Sequence, residues 1–170
     1  MVTANIPFQF LTQLAVQFNW SDVLFGLNRG LIRRQIAIDR ATSHVSAGSN
    51  SAEELELAIM HDSDDVQRVV VQLASLEHAS DELSSEHKWA LILLAWIEVN
   101  LATINDPLSV IEEVYADFGY PRELSPFVRY MPSDKPDRGS VSLNEARMLE
   151  ELHAFVSSTL LRPSKASEPQ

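Results

Sequence analysis

The chain contains no cysteine among its 170 residues. No disulfide framework or thiolate metal site can exist, and the composition suits a reducing compartment. Glycine is scarce, with five residues and none beside another. Neither a glycine-rich phosphate loop nor a G-x-S-x-G nucleophile turn can be assembled from them. The longest uninterrupted apolar run is Trp89 to Ile97, far short of the ~20 residues a membrane helix needs. The first twenty residues carry no charged side chain, so they lack the basic region of a secretory leader. The expectation is a cytoplasmic protein with no membrane span.

Basic residues are the remaining shortage: 13 Lys and Arg stand against 24 Asp and Glu, a net charge of −11. The excess is uneven. Residues 1–50 hold four arginines and two aspartates, residues 51–104 eleven acids and two bases, and residues 105–170 eleven acids and seven bases. Nucleic-acid binding needs clustered Lys and Arg, so the acidic middle third argues against it. A basic protein partner would be attracted and steered. The plainer reading, that acid keeps a helical protein soluble, stands beside that one. Arg29, Arg33, Arg34 and Arg40 are too few for a nucleic-acid surface, and ion pairs with the acidic third account for them.

What is present is helical periodicity, and no strand-like alternation competes with it. Pro7 opens a pattern of Phe8, Leu11, Ala15 and Phe18. Ser21 and Asp22 mark a second start, and Gly30 a stop. A third helix is expected over 31–44. Ser51 and Glu54 form a capping-box pattern, and Ser63 or Asp62 can cap the next helix. There Val66, Val69, Val70, Leu73 and Leu76 make an amphipathic stripe. Residues 80–85 read as a polar connection. The segment 89–101 is apolar nearly all round and marks the buried centre. Asp106-Pro107 begins a helix with Leu108, Ile111, Val114, Tyr115 and Phe118 on one face, ended by Gly119 and Pro121. After a loop over 133–140, Ser142 and Glu145 suggest another capping box, followed by Leu143, Ala146, Leu149, Leu152, Phe155 and Val156. The expected fold is all-α: one compact domain over 1–161 with seven or eight helices, open to stacking as antiparallel pairs. Residues 162–170 have nothing to bury and read as a disordered tail.

Catalytic patterns are weak. The five histidines include no H-E-x-x-H. A single E-x-x-H, Glu150 to His153, lacks the second copy that a di-metal bundle requires. Asp62, Asp64 and Asp65 lack the glycine and distal glutamate of a calcium loop, and helix capping is their simpler role. Glu86-His87-Lys88-Trp89 is consecutive and points around a helix, so its groups read as exposed first-turn residues. Neither a cofactor nor a metal site is expected.

The distinctive segment is Tyr115 to Pro132. It holds all three tyrosines of the chain, and tyrosine with arginine favours surfaces that are both adhesive and specific. Most of its rings read as closing the core, with Asp117 and Arg129 pairing across the crossing. Tyr120, Arg129 and Tyr130 are the outward candidates. Four pieces, WSDVLFGLNRGLI at 20–32, KWALILLAWI at 88–97, DPLSVIEEVYADFGYP at 106–121 and FVRYMP at 127–132, resemble a bacterial family known as domain of unknown function 2247. The resemblance runs from Trp20 to about Phe155 and leaves out the first twenty residues and the tail. It brings no activity and no cofactor.

Small acidic single-domain bacterial proteins of this style often serve as immunity proteins of polymorphic or contact-dependent toxin systems. The leading expectation is therefore an immunity protein that binds a cognate toxin domain, with a basic nuclease as the model case, and covers its substrate site with an acidic surface. The expected contacts are Asp62, Asp64, Asp65, Glu77, Asp81, Glu82 and Glu86, then Tyr120, Arg129 and Tyr130. A non-catalytic intracellular adaptor is the alternative. An enzyme would need Asp117, Arg129, Glu150 and His153 to converge.

Overall fold

Six helices start at side-chain caps that the sequence supplies directly. In a computed structural model, which describes residues 4–78 and 82–163, Asn19, Ser51, Asp65, Ser84, Asp106 and Ser140 each accept the N–H three residues on. These bonds satisfy donors that a helix start leaves without partners. The described residues form eight α-helices: α1 (Phe8–Thr12), α2 (Trp20–Asn28), α3 (Arg34–Ser46), α4 (Ala52–Ala58), α5 (Val66–Leu76), α6 (Ser85–Val99), α7 (Pro107–Asp117) and α8 (Val141–Phe155). Short 3-10 turns occupy Leu101–Thr103 and Arg122–Phe127, and a π-helical turn, Val156–Leu160, extends α8. No named strand occurs among the described residues, and the all-α expectation holds.

Helix α6 is the axis of the packing. Trp89, Ala90, Leu91, Ile92, Leu93, Leu94, Ala95 and Ile97 are all buried. Helices α2 and α7 and the π-helical turn pack around it. Burial on every side explains why this stretch shows no polar face. The pairs α3–α4, α4–α5 and α6–α7 also pack together, and α2 joins α5 and α6 across the chain. The α2–α6 crossing depends on Gly26: a Cβ there would sit 2.3 Å from Cζ2 of the Trp89 ring. The α5 stripe buries Val66, Val69, Val70 and Leu73, whereas Leu76 is left exposed at its end.

Several expected boundaries shift for identifiable reasons. The Phe8–Phe18 pattern does not continue as one helix. It ends at Thr12, after which Ala15 donates to the Leu160 carbonyl at 2.8 Å and Leu14 bridges Leu161. Arg162, the first residue of the expected tail, is fixed by the same pairing: its backbone N–H donates to Gln13 O and its Nε to Leu14 O, both at 2.8 Å. The rest of that tail from residue 164 on lies outside the described residues, as does part of the 80–85 connection. Asn19 rather than Ser21 or Asp22 caps α2, with Asp22 returning a bond to the Asn19 N–H. Asp65 rather than Ser63 or Asp62 caps α5. Ser140 rather than Ser142 caps α8, because Glu145 is drawn to Arg129 instead of back to the helix start. Ser51 does cap α4, but its expected partner Glu54 turns inward. The α8 stripe buries Met148 and Leu152, and Leu143 stays exposed.

Candidate interaction site

Charged groups near the start of α2 are consumed by the fold. Asp22 and Lys88 are both buried, with Nζ 2.9 Å from Oδ2. The Ser85 hydroxyl and the Asn19 N–H also donate to the Asp22 carboxylate, and Trp89 Nε1 donates to its backbone carbonyl. Lys88 is thus not the exposed first-turn residue expected: α2 supplies a carboxylate at the core edge. Glu77 accepts the N–H groups of Trp20 and Ser21 at 2.6 and 2.9 Å, and so caps α2 from a distant element. Glu54 receives Trp20 Nε1 at 2.9 Å, His44 Nδ1 at 2.7 Å and the Ser49 hydroxyl. Burial alone would raise the Glu54 carboxyl; the bonds from Ser49, His44 and Trp20 outweigh it, and the net direction is down. Arg40 stacks over Phe18 and Trp20 and donates to the Phe18 carbonyl. Burial lowers it, with Glu77, Glu54 and Asp22 acting the other way.

The remaining expected acids do not share one face. Asp62, Asp64 and Asp65 precede α5, whereas Glu77, Glu82 and Glu86 follow it. A helix of 11 residues holds Asp65 and Glu77 roughly 16 Å apart. Asp64 accepts the His61 N–H at 2.6 Å and Asp65 caps α5. Asp62 lies beside Arg33 and Arg34, and its carbonyl accepts from Arg34. Glu86 pairs with Arg29 at 3.4 Å, and Arg29 also covers the Phe25 and Phe118 rings. Glu82 is exposed, and Asp81 lies outside the described residues.

Glu86 has a second neighbour. Its Oε2 is 3.7 Å from where a Gly119 side chain would begin. The first turn of α6 therefore meets the turn that ends α7. There Gly119 and Tyr120 both adopt left-handed backbone, at φ 75° and 60°. The Tyr120 N–H reaches back to the Tyr115 carbonyl at 2.9 Å, the long bond of a Schellman cap. His87 Nε2 and Glu123, 2.9 Å apart, join α6 to the same region.

The aromatic segment divides as its residues predict. Tyr115, Phe118 and Phe127 are buried, whereas Tyr120 and Tyr130 are each 62% exposed. Both exposed rings lean on Tyr115, with centroids at 5.2 and 6.5 Å. Arg129 is not a free contact residue. It donates to Glu112 at 2.9 and 3.0 Å, to Asp106 at 3.2 Å and to Glu145 at 3.1 Å. Those bonds join α7, the crossing and α8. They also hold Glu112 below its ordinary range, while the Ser109 hydroxyl and N–H, then Arg129, do the same for Asp106. Asp117 is not among the carboxylates on Arg129. Glu150 pairs with Arg138 and His153 with Glu98. No group of three or more metal-ligating side chains occurs among the described residues.

Behind the crossing lies a groove of about 450 Å³, between residues 125–137 and α8, with Val128, Met131 and Met148 in its wall. Arg147 closes one side by donating to the Pro136 carbonyl at 3.3 Å. Sequence reasoning missed the roles of Glu54, Asp22 and Lys88. The i, i+3 relation of Asn19 to Asp22 was the one local signal available, since the other partners lie far along the chain. No helix among the described residues is long and apolar enough to cross a membrane.

A family model described as an uncharacterized protein conserved in bacteria (DUF2247) matches residues 8–159. The match begins at Phe8 rather than Trp20 and so takes in the first helix as well. No curated protein and no solved structure matches the chain. The chain belongs to the DUF2247 family.

Proposed function

We propose that this member of the DUF2247 family is an immunity protein, which binds and neutralises a cognate toxin domain carrying a basic surface. The observation that carries this reading is the acidic and aromatic end of the molecule. Exposed Tyr120 sits on a locked turn beside Glu86, and exposed Tyr130 lies across Tyr115 from it. Tyrosine gives contact area at low cost in side-chain entropy, and the surrounding acid selects and steers a basic partner. Contact therefore centres on Tyr120, Tyr130 and Glu86, whereas Glu82 lies beside residues 15–17 and 159–160. Arg129 supports that end from within, Glu77 caps the start of α2, and Asp62, Asp64 and Asp65 precede α5. A basic nuclease fits such a face, because covering its cationic substrate site excludes nucleic acid.

The test is to express the gene immediately upstream with and without this chain, scoring growth and co-purification. The reading expects a toxic product, rescue by the chain, and a complex whose association slows as salt rises. A harmless neighbour, or killing without rescue or complex, removes it. A stable complex with a harmless protein would favour the adaptor reading instead.

A further inference from the structure

We propose that Tyr120 and Tyr130 form a seat for an arginine side chain of the basic partner, with Glu86 beside the turn that carries one ring and Glu112 near the other. This inference rests on the partner-binding reading above and names the chemistry of its central contact.

Three observations carry it. The first is the rings themselves. Tyr120 meets Tyr115 edge-on at 80°, and Tyr130 tilts against it at 58°, while both keep 62% of their area open. Ring faces attract cations, and a guanidinium both stacks and hydrogen-bonds there, which an ammonium does less well. The second is the backbone. A left-handed conformation strains a non-glycine residue, and Tyr120 keeps it with a ring directed largely into solvent. Glycine would satisfy the same cap without strain. The cap fixes the turn that carries one ring, and the Arg129 bonds to Glu112 fix the segment that carries the other.

The third is the local field. On the Tyr130 side Asp106, Glu112 and Glu145 surround Arg129, and on the Tyr120 side Arg29 pairs with Glu86. One positive and three negative groups leave the Arg129 cluster at −2, and the Arg29–Glu86 pair adds no net charge. Neighbouring atoms desolvate the Tyr130 phenol and Glu112 repels its ionised form, so it is held above its ordinary value. A second acidic copy of this chain would meet repulsion, whereas a basic segment would not.

The test uses ring-labelled full-length protein at low salt and follows tyrosine ring signals by NMR. The probes are hexa-arginine, hexalysine and hexaglutamate peptides. Hexa-arginine should shift the Tyr120 and Tyr130 rings more than Tyr115, and hexalysine should bind more weakly. Tyr120→Ala with Tyr130→Ala should weaken hexa-arginine at least tenfold, whereas Tyr120→Phe with Tyr130→Phe should retain it, since the ring face is kept. Circular dichroism verifies that each variant is folded.

Hexa-arginine acting on scattered acids without a ring response would overturn the proposal. So would equal binding of hexalysine, or any response to hexaglutamate. Ring shifts that depend on protein concentration without peptide would assign the face to a second copy and overturn it too. Growth protection is scored separately. Rescue without a ring response removes the arginine seat and leaves the immunity reading; a ring response without rescue does the reverse.

Discussion

Around the start of α2, Asp22, Glu54, Glu77, Arg40 and Lys88 are drawn toward the core and spent on one another or on free N–H groups. Around the 106–130 crossing, Asp106, Glu112, Glu145 and Arg129 hold the surface in place, and two tyrosines are left facing outward. Both regions contain acid and aromatic rings. They differ in burial, and burial decides the use. A charge removed from water must be matched where it sits, so the first cluster holds the fold together and has little left for a partner. The second remains at the edge of solvent, where geometry is fixed but ring faces and some carboxylates stay open. Net charge alone therefore overstates the acid available for contact.

The largest break in this comparison is Asp22→Ala. It leaves Lys88 buried without its counter-ion and should cost about 3–5 kcal/mol, read from the midpoint of urea unfolding. Asp22→Leu combined with Lys88→Met should recover much of that loss. Next comes the pair Glu77→Ala and Glu86→Ala. Loss of the α2 cap should cost about 1–2 kcal/mol, whereas the exposed Arg29 pair contributes about 0–1 kcal/mol. Equal costs would erase the distinction between the regions.

A smaller effect concerns acid. Glu54, Asp106 and Glu112 are all depressed below their ordinary values. The unfolded chain then binds more protons than the native one at low pH. Their stabilisation is complete above about pH 4.5 and fades as pH falls through the lower native values. Glu54→Gln should flatten that acid limb in thermal melts taken from pH 6 to pH 3. An unchanged slope would show that Glu54 gains nothing from ionisation. The smallest effect is Tyr120→Gly, which relieves the left-handed strain and should raise stability by up to about 1 kcal/mol while weakening partner binding.

Much of the architecture was legible from spacing and capping chemistry. The Val66–Leu73 stripe, the all-round apolar run of α6, and the stops at Gly30 and Gly119 follow from local periodicity and φ requirements. The division of the aromatic segment was also legible, because Tyr115 and Phe118 fall on the apolar face of α7 and Tyr120 falls after its end. What failed was long-range. Glu77 lies 57 positions from the N–H group it caps on Trp20, and Lys88 lies 66 from Asp22. Nothing in a local window distinguishes such residues from surface charge. The shortened α1 failed for the same reason: the pairing of residues 13–15 with 160–162 is set by the far end of the chain.

The central claim is that the partner meets the Tyr120–Tyr130 end and not the Asp62–Asp65 end. The most direct measurement titrates the rescued toxin domain against three folded proteins: the unaltered chain, the Tyr120→Ala/Tyr130→Ala variant, and the Asp62→Asn/Asp64→Asn/Asp65→Asn variant. Affinity should fall about 100-fold or more for the tyrosine variant, the loss of ~2.7 kcal/mol expected of hot-spot anchors. It should change less than about threefold for the aspartate variant, where only steering is lost. The reverse order would contradict the account and move the interface to the start of α5.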